Sequence, residues 1–204
     1  MGKYILLSLL AYFCGSLPSG VWIGKIFKGI DIRTVGSKNS GATNAYRNLG
    51  VKCGLCTLLA DALKGYLPLY IASLYNVSDK FIVLLGLIAI IAHSMSCFLN
   101  FKGGKGVATS LGVFLFLAPK AILVAALGFF IVVFSTRFVS LASITGAIIL
   151  PIMVVILPVK EGVNKGMLVT ISFIIGAFVI YRHRSNIKRL LNGTESKIIF
   201  KKKG

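Results

Sequence analysis

Apolar residues gather in seven runs along the chain, at residues 4–23, 54–74, 81–101, 107–118, 121–135, 139–157 and 167–181. Four or five of these approach the roughly 20 residues that an α-helix needs to cross a bilayer. The two runs on either side of Pro119 and Lys120 are short. Proline disrupts a helix interior, so this break predicts a tight turn between two helices. The alternative is one kinked, buried helix pair that never reaches the far face. The pattern therefore predicts an all-α integral membrane protein with seven transmembrane helices, five being the alternative, in a single polytopic domain over residues 1–204. Polar loops fall near 25–52 and 101–107, and a polar tail occupies 182–204.

Charge tests that reading. Hydrophobic residues make up 56% of the chain, yet Lys and Arg outnumber Asp and Glu by 23 to 5. A mean hydropathy of +0.89 is too high for a disordered basic protein. A soluble nucleic-acid-binding domain would spread its positive charge over a compact core, so no nucleic-acid partner is expected. With the N-terminus outside, one face receives Lys25, Lys28, Arg33, Lys38, Arg47, Lys52, Lys102, Lys105, Arg137 and every basic residue after Tyr181. The other face receives only Lys3, Lys80, Lys120, Lys160 and Lys165, with Lys64 left inside a run. Seventeen against five places the C-terminus in the cytoplasm by the positive-inside rule, and an odd number of spans follows. The first run reads as a span and not a signal peptide, because Lys3 is its only charge and no A-x-A-like site follows. Lys201, Lys202 and Lys203 read as a basic tail held near anionic lipid.

The polar segments that carry chemistry all fall on the cytoplasmic side of this topology. Residues 31–50 pack Ser37, Asn39, Ser40, Thr43 and Asn44 around Gly36 and Gly41, flanked by Arg33 and Arg47. Hydroxyls, amides and exposed backbone N–H groups suit an anionic oxygen cluster, and Arg adds a planar fork for phosphate. The competing reading is a solvated loop rich in turn formers. Residues 101–109, F-K-G-G-K-G-V-A-T, sit between two apolar runs, so glycine amides and Lys105 would be displayed at a helix start, an arrangement favourable to phosphate. The glycine spacing, and Gly106 after Lys105, exclude a Walker A loop. In residues 182–195, His183 and Asn186 are three apart and share a face if helical, while Ile187, Leu190 and Leu191 mark an apolar stripe ended by Asn192 and Gly193. Read plainly this is a basic amphipathic helix on lipid; read functionally, His183 handles a proton.

His93 lies near the cytoplasmic end of the third run, and Asp61 and Lys64 sit at i, i+3 within the second, where an ion pair or a functional site explains them equally. Arg137, Ser140 and Ser143 open the sixth run and offer another anion contact. Cys53 and Cys56 form an unaccompanied C-x-x-C and read as reduced thiols. Five scattered acids and two distant histidines make no metal site, and no cofactor is expected.

These segments resemble one family, the bacterial acyl-phosphate:glycerol-3-phosphate acyltransferases. The matching stretches are G-S-L-P-S-G (15–20), D-I-R-T-V-G-S-K-N-S-G-A-T-N-A-Y-R (31–47), D-A-L-K-G (61–65), H-S-M-S-C-F-L-N-F-K-G-G-K-G-V-A-T (93–109), R-F-V-S-L-A-S-I (137–144) and H-R-S-N-I-K-R-L-L-N-G-T-E (183–195). Lys38 and Ser96 depart from the usual motifs but leave the contact residues in place. The resemblance implies a seven-helix enzyme of the bacterial cytoplasmic (inner) membrane with its site on the cytoplasmic face. Acyl phosphate and sn-glycerol 3-phosphate would be its substrates and lysophosphatidate and phosphate its products. It implies catalytic roles for Ser37, Arg47, His183 and Asn186, glycerol 3-phosphate binding by Gly103, Gly104, Lys105 and Gly106, and a structural Glu195.

Physical reasoning adds Asn39, Thr43 and Asn44 beside Ser37 around the acyl phosphate, with Arg47 and Lys105 on the acceptor phosphate and Ser143 and His93 as further contacts. Either His183 or a substrate phosphate would take the hydroxyl proton. An anion transporter would also want basic loops, but its polar residues should continue to the opposite face, and a membrane adaptor leaves the Ser/Asn/Thr-dense loop unexplained.

Overall fold

A computed structural model of the chain describes residues 1–199, so the Lys201, Lys202 and Lys203 tail lies outside the described residues. The described residues contain helices and turns and no strand. The helices are α1 (Gly2–Ser16), α2 (Ser19–Lys28), α3 (Ala42–Leu49), α4 (Val51–Ser73), α5 (Asp79–Ser94), α6 (Val107–Leu117), α7 (Pro119–Thr136), α8 (Val139–Ile156), α9 (Lys165–Arg182) and α10 (Arg184–Leu191). Short 3₁₀ turns cover Ile32–Thr34 and Cys97–Leu99.

Five segments are long and apolar enough to cross a membrane: Val51–Ser73, Asp79–Leu99, Pro119–Thr136, Val139–Ile156 and Lys165–Arg182. The first apolar run is not the single straight span expected. It breaks into α1 and α2, bent by 44°, and counts as a sixth crossing only if the pair is one span. Pro18 causes the break, since it lacks an N–H and its ring excludes the preceding turn. Carbonyls freed at the bend are expensive in a membrane unless other groups take them up. The Ser96 hydroxyl donates to Ser16 O at 2.5 Å and the Lys64 ammonium to Leu17 O at 2.7 Å. Lys64 also pairs with Asp61 at 2.7 Å, so the two charges inside α4 neutralise one another while closing the bend in α1–α2. Pro119 opens α7 at its first turn, as the sequence predicts, and α6 before it is only 11 residues long and shorter than a typical crossing.

The outer surface is apolar all round. Leu123, Leu127, Ile131 and Phe134 of α7, Ile148 and Ile152 of α8, and Leu59 and Leu63 of α4 are exposed, a surface that only lipid covers favourably. Inside, Leu85 and Ile90 of α5, Phe114 and Leu117 of α6 and Leu168 and Ile175 of α9 share one core.

Without a hydrophobic drive in lipid, helices associate through close packing of small residues. Gly65 of α4 lies against the Thr109 backbone of α6, and Gly112 of α6 lies against the Ala62 backbone of α4. A Cβ at Gly112 would fall on the Ala62 carbonyl, which cannot yield without moving a helix. Gly112→Ala is expected to destabilise the protein by about 1–3 kcal/mol. Thermal unfolding in detergent measures this; an unchanged midpoint would contradict the close crossing.

The bundle has two unlike ends. At one, Lys3 lies 3.4 Å from the carbonyls of Tyr75 and Asn76, and Lys160 N–H donates to Leu117 O at 3.0 Å. At the other, the loop before α3, the glycine loop before α6, α10 and the segment after it converge on a polar cavity.

Candidate active site

Asn44 of α3 organises the loop that precedes it. Its amide nitrogen lies 2.9–3.1 Å from the carbonyls of Ile32, Val35 and Asn39. Its oxygen accepts from the Ser37 N–H at 3.0 Å and from Asn48 Nδ2 at 2.8 Å. Asn44 borders the cavity, but its side chain is committed to the loop and is not the free anion ligand expected from sequence. Asn39 likewise accepts from Gly41 N–H at 3.0 Å. Ser37, Thr43 and Arg47 line the cavity beside them.

The glycine loop departs from expectation. Gly103 and Gly104 do not line the cavity, because their amides are used inside the fold. Gly103 N–H donates to Ser94 O at 3.0 Å and Gly104 N–H to His93 O at 3.2 Å. Their carbonyls accept from Arg182 Nη2 at 3.1 and 3.0 Å. A Cβ on Gly103 would meet the His93 carbonyl and one on Gly104 the His93 ring, so both glycines permit a close turn over His93. That turn delivers Lys105 and Gly106 to the cavity wall, with Val107 and Ala108 of α6 behind them.

At the junction of α9 and α10, His183 is buried and its Nδ1 lies 2.8 Å from Val179 O. A carbonyl only accepts, so Nδ1 carries the proton and Nε2 keeps a lone pair. Burial, then the Lys105 charge, lowers the His183 pKa to about 4, so the ring is neutral near pH 7.

Asn186 stands one turn on and joins the two halves of the site. Its Oδ1 accepts from Lys105 Nζ, and its Nδ2 donates to Glu195 Oε1 at 2.8 Å. Glu195 also accepts from Ser140 Oγ at 2.8 Å and pairs with Arg189 Nε at 2.7 Å. Burial opposes its charge, but the hydrogen bonds from Asn186, Ser140 and Arg189 hold its carboxyl below the usual range. Burial, together with Arg189, Arg182 and Arg47 nearby, lowers Lys105 to about 8. Arg47 donates to Ser196 O at 2.6 Å, while its Nε is buried without a partner.

The cavity between these groups measures about 490 Å³. Ser143, His93 and Asp61 line its inner side, with Ser143 donating to Val139 O at 2.9 Å and His93 Nδ1 lying 3.7 Å from Asp61. Among the described residues its two carboxylates are each paired, Asp61 with Lys64 and Glu195 with Arg189, which leaves Lys105 and Arg47 as its cations outside an ion pair. No group of three metal-ligating side chains occurs among the described residues. Arg137 is exposed and does not line the cavity. Sequence reasoning missed Arg189, although 183, 186 and 189 share i, i+3 spacing and hence one helix face.

A second cavity of about 200 Å³ adjoins the first and shares Leu58, Val107, Ala108, Phe129 and Ser143 with it. Apart from Ser110 and Ser143 its walls are apolar, contributed by α4, α6, α7, α8 and α9. A charged chamber thus adjoins an oily one.

Comparison with known proteins gives this arrangement a family. The model for the glycerol-3-phosphate acyltransferase family matches residues 5–193. A glycerol-3-phosphate acyltransferase of Fusobacterium nucleatum is 56% identical over 192 residues, covering 94% of this chain and 96% of its own. One from Bacillus subtilis is 46% identical over 193 residues, with 95% and 96% covered. The crystal structure of PlsY, an integral membrane glycerol 3-phosphate acyltransferase, in its glycerol 3-phosphate form superposes with a TM-score of 0.86 at 38% identity, covering 97% of this chain and 96% of that one. Its lysophosphatidic acid form gives 0.84 at 37% identity, with the same coverage. On these matches, the chain belongs to the family of integral membrane glycerol-3-phosphate acyltransferases.

Proposed function

We propose that the chain transfers an acyl group from acyl phosphate to the 1-hydroxyl of sn-glycerol 3-phosphate, giving lysophosphatidate and inorganic phosphate. The observation that carries this reading is the cation-lined cavity adjoining an apolar one, which suits two phosphates and an alkyl chain meeting at one carbonyl. Lys105 and Arg47 hold the acceptor phosphate, with Gly106 beside it. Gly103 and Gly104 contribute through the turn that places Lys105. Ser37, Asn39 and Thr43 border the acyl phosphate, and Asn44 keeps their loop in shape. Asn186, held by Glu195, positions Lys105. Ser143 lies where the chambers join, next to the acyl carbonyl, and His93 closes the inner wall.

In the step itself the glycerol hydroxyl oxygen attacks the acyl carbon, and the bond from that carbon to the phosphate oxygen breaks. The hydroxyl proton goes to His183 Nε2 or to the departing phosphate. Fixed cations stabilise the developing negative charge, and holding both substrates together supplies much of the rate. No metal, nucleotide or covalent intermediate is needed, because acyl phosphate already carries its leaving group.

Taking the bent α1–α2 pair as one span and the short α6 as another, beside the five long apolar helices, gives the seven crossings we infer. Arg47, Lys105 and Arg189 line the cavity and belong to the basic face of the chain, so the positive-inside rule puts the cavity side in the cytoplasm of a bacterial inner membrane and the N-terminus outside. The purified protein in detergent is expected to convert acyl phosphate and glycerol 3-phosphate to equal amounts of lysophosphatidate and phosphate without metal or nucleotide. Transfer from an acyl thioester at a comparable rate would overturn the donor assignment.

A further inference from the structure

Two glycines line the apolar cavity, Gly146 on α8 and Gly176 on α9, and their surroundings differ. A Cβ on Gly176 would sit 2.7 Å from the Ala147 carbonyl, so glycine there lets α8 and α9 approach. A Cβ on Gly146 would meet only ordinary contacts, Ala125 O at 3.6 Å and Phe129 Cβ at 4.0 Å. Helix packing therefore does not require glycine at 146, and glycine in a helix interior is less stable than alanine. What the missing side chain does provide is space in the cavity.

That space lies at the neck between the two chambers. Phe129, opposite Gly146, lines both cavities, and so does Ser143, one turn before Gly146 on the same face of α8. Ser143, Gly146, Ala147 and Leu150 form an i, i+3, i+4, i+7 stripe, faced by Ile122, Ala125, Ala126 and Phe129 with the same spacing on α7. The middle of each stripe is small. The far end is closed by Ile122 and Leu150 with Ile175 of α9, all buried. Seven residues of helix put this floor about 10 Å from the polar chamber. An extended alkyl chain gains about 1.3 Å per carbon from bonds of about 1.5 Å, so it reaches the floor near its eighth carbon. Phe130, beside Phe129 at the neck, also lines the cavity and is 52% exposed, so the cavity wall reaches the lipid-facing surface at that level.

We propose that Gly146 is a specificity-determining residue: the gap between it and Phe129 admits the acyl chain, and side-chain size at 146 sets which acyl groups the enzyme accepts. The proposal rests on the reading that the apolar cavity holds the donor's chain. Gly146→Leu is expected to lower kcat/KM for palmitoyl phosphate by about 100-fold, and Gly146→Ala by about 10-fold. Butyryl phosphate, too short to pass the neck, should lose no more than about threefold in either variant, with the KM for glycerol 3-phosphate unchanged. If Gly146→Leu does not fold, Gly146→Ala decides, since its methyl fits without displacing backbone. A palmitoyl-to-butyryl ratio equal to wild type in a folded variant overturns the proposal.

Binding calorimetry with lysophosphatidates of long and short chain separates this from the donor assignment. The native protein should prefer the long chain and Gly146→Leu should not. That result upholds the neck even if acyl phosphate is not the donor, whereas a preference retained in the variant overturns it.

Discussion

Replacing His183 with alanine is expected to lower kcat by about 100-fold or more while the protein still folds and inserts. The reasoning starts from one hydrogen bond. Val179 O fixes the ring tautomer and leaves the Nε2 lone pair for an acceptor role in a cavity where the imidazole is neutral. A neutral ring that accepts a proton works at and above neutral pH and fails once it is already protonated. The native enzyme should therefore keep its rate from about pH 7 down through the weakly acidic range and lose it as pH approaches the His183 value of about 4. If His183 is the base, His183→Ala flattens that acid limb as well as lowering kcat. If the substrate phosphate takes the proton, the acid limb follows the phosphate's own ionisation and survives the substitution. Wild-type kcat in a folded His183→Ala protein would remove the residue from the chemistry altogether.

Lys105→Met is expected to act on binding. A charge-assisted hydrogen bond is worth about 1.5–3 kcal/mol, so the KM for glycerol 3-phosphate should rise by about 10- to 150-fold with a smaller change in kcat. Methionine keeps the length of the stem and removes the ammonium, with its charge and its hydrogen bond to Asn186. The lowered Lys105 pKa gives the prediction a second readout. Because burial and the neighbouring arginines bring the ammonium to about 8, native kcat/KM for glycerol 3-phosphate should fall as pH rises through that value. Lys105→Met should lose this alkaline limb, being already uncharged. An unchanged KM together with a retained alkaline limb would place the acceptor phosphate elsewhere, with Arg47 the next group to test.

Much of this site is readable in the chain before any coordinates, and the failures have physical causes. Continuous apolar runs find membrane helices well, because lipid leaves a backbone few alternatives. The first run is legible as a membrane segment, but its bend at Pro18 is not read from the sequence, although the same residue type marks the break at Pro119. Asp61 and Lys64 are legible as an ion pair from their spacing. Their third partner, the Leu17 carbonyl, lies 47 residues away, and no local pattern carries it. Residue type makes Asn44 look like a ligand, and the family resemblance together with a place at a helix start does the same for the two glycines. Whether a polar group faces a substrate or closes a loop depends on who reaches it first in the fold, and here Ile32, Val35, Asn39, Ser94 and His93 do. Arg189 is hidden among the many cations of the basic face, despite its helical register with His183 and Asn186. The apolar chamber was invisible for a related reason, since its walls are indistinguishable in sequence from ordinary lipid-facing or core residues.

The proposed reaction is a direct transfer, with both anions held in one cavity and no acyl group ever passing to the protein. Isotope exchange tests this most directly. Purified protein is incubated with acyl phosphate and labelled inorganic phosphate in the absence of glycerol 3-phosphate. No label should enter acyl phosphate, and initial-velocity lines should intersect once the acceptor is supplied. Rapid exchange of label without acceptor, with parallel lines, would mean a covalent acyl-enzyme and would contradict direct transfer.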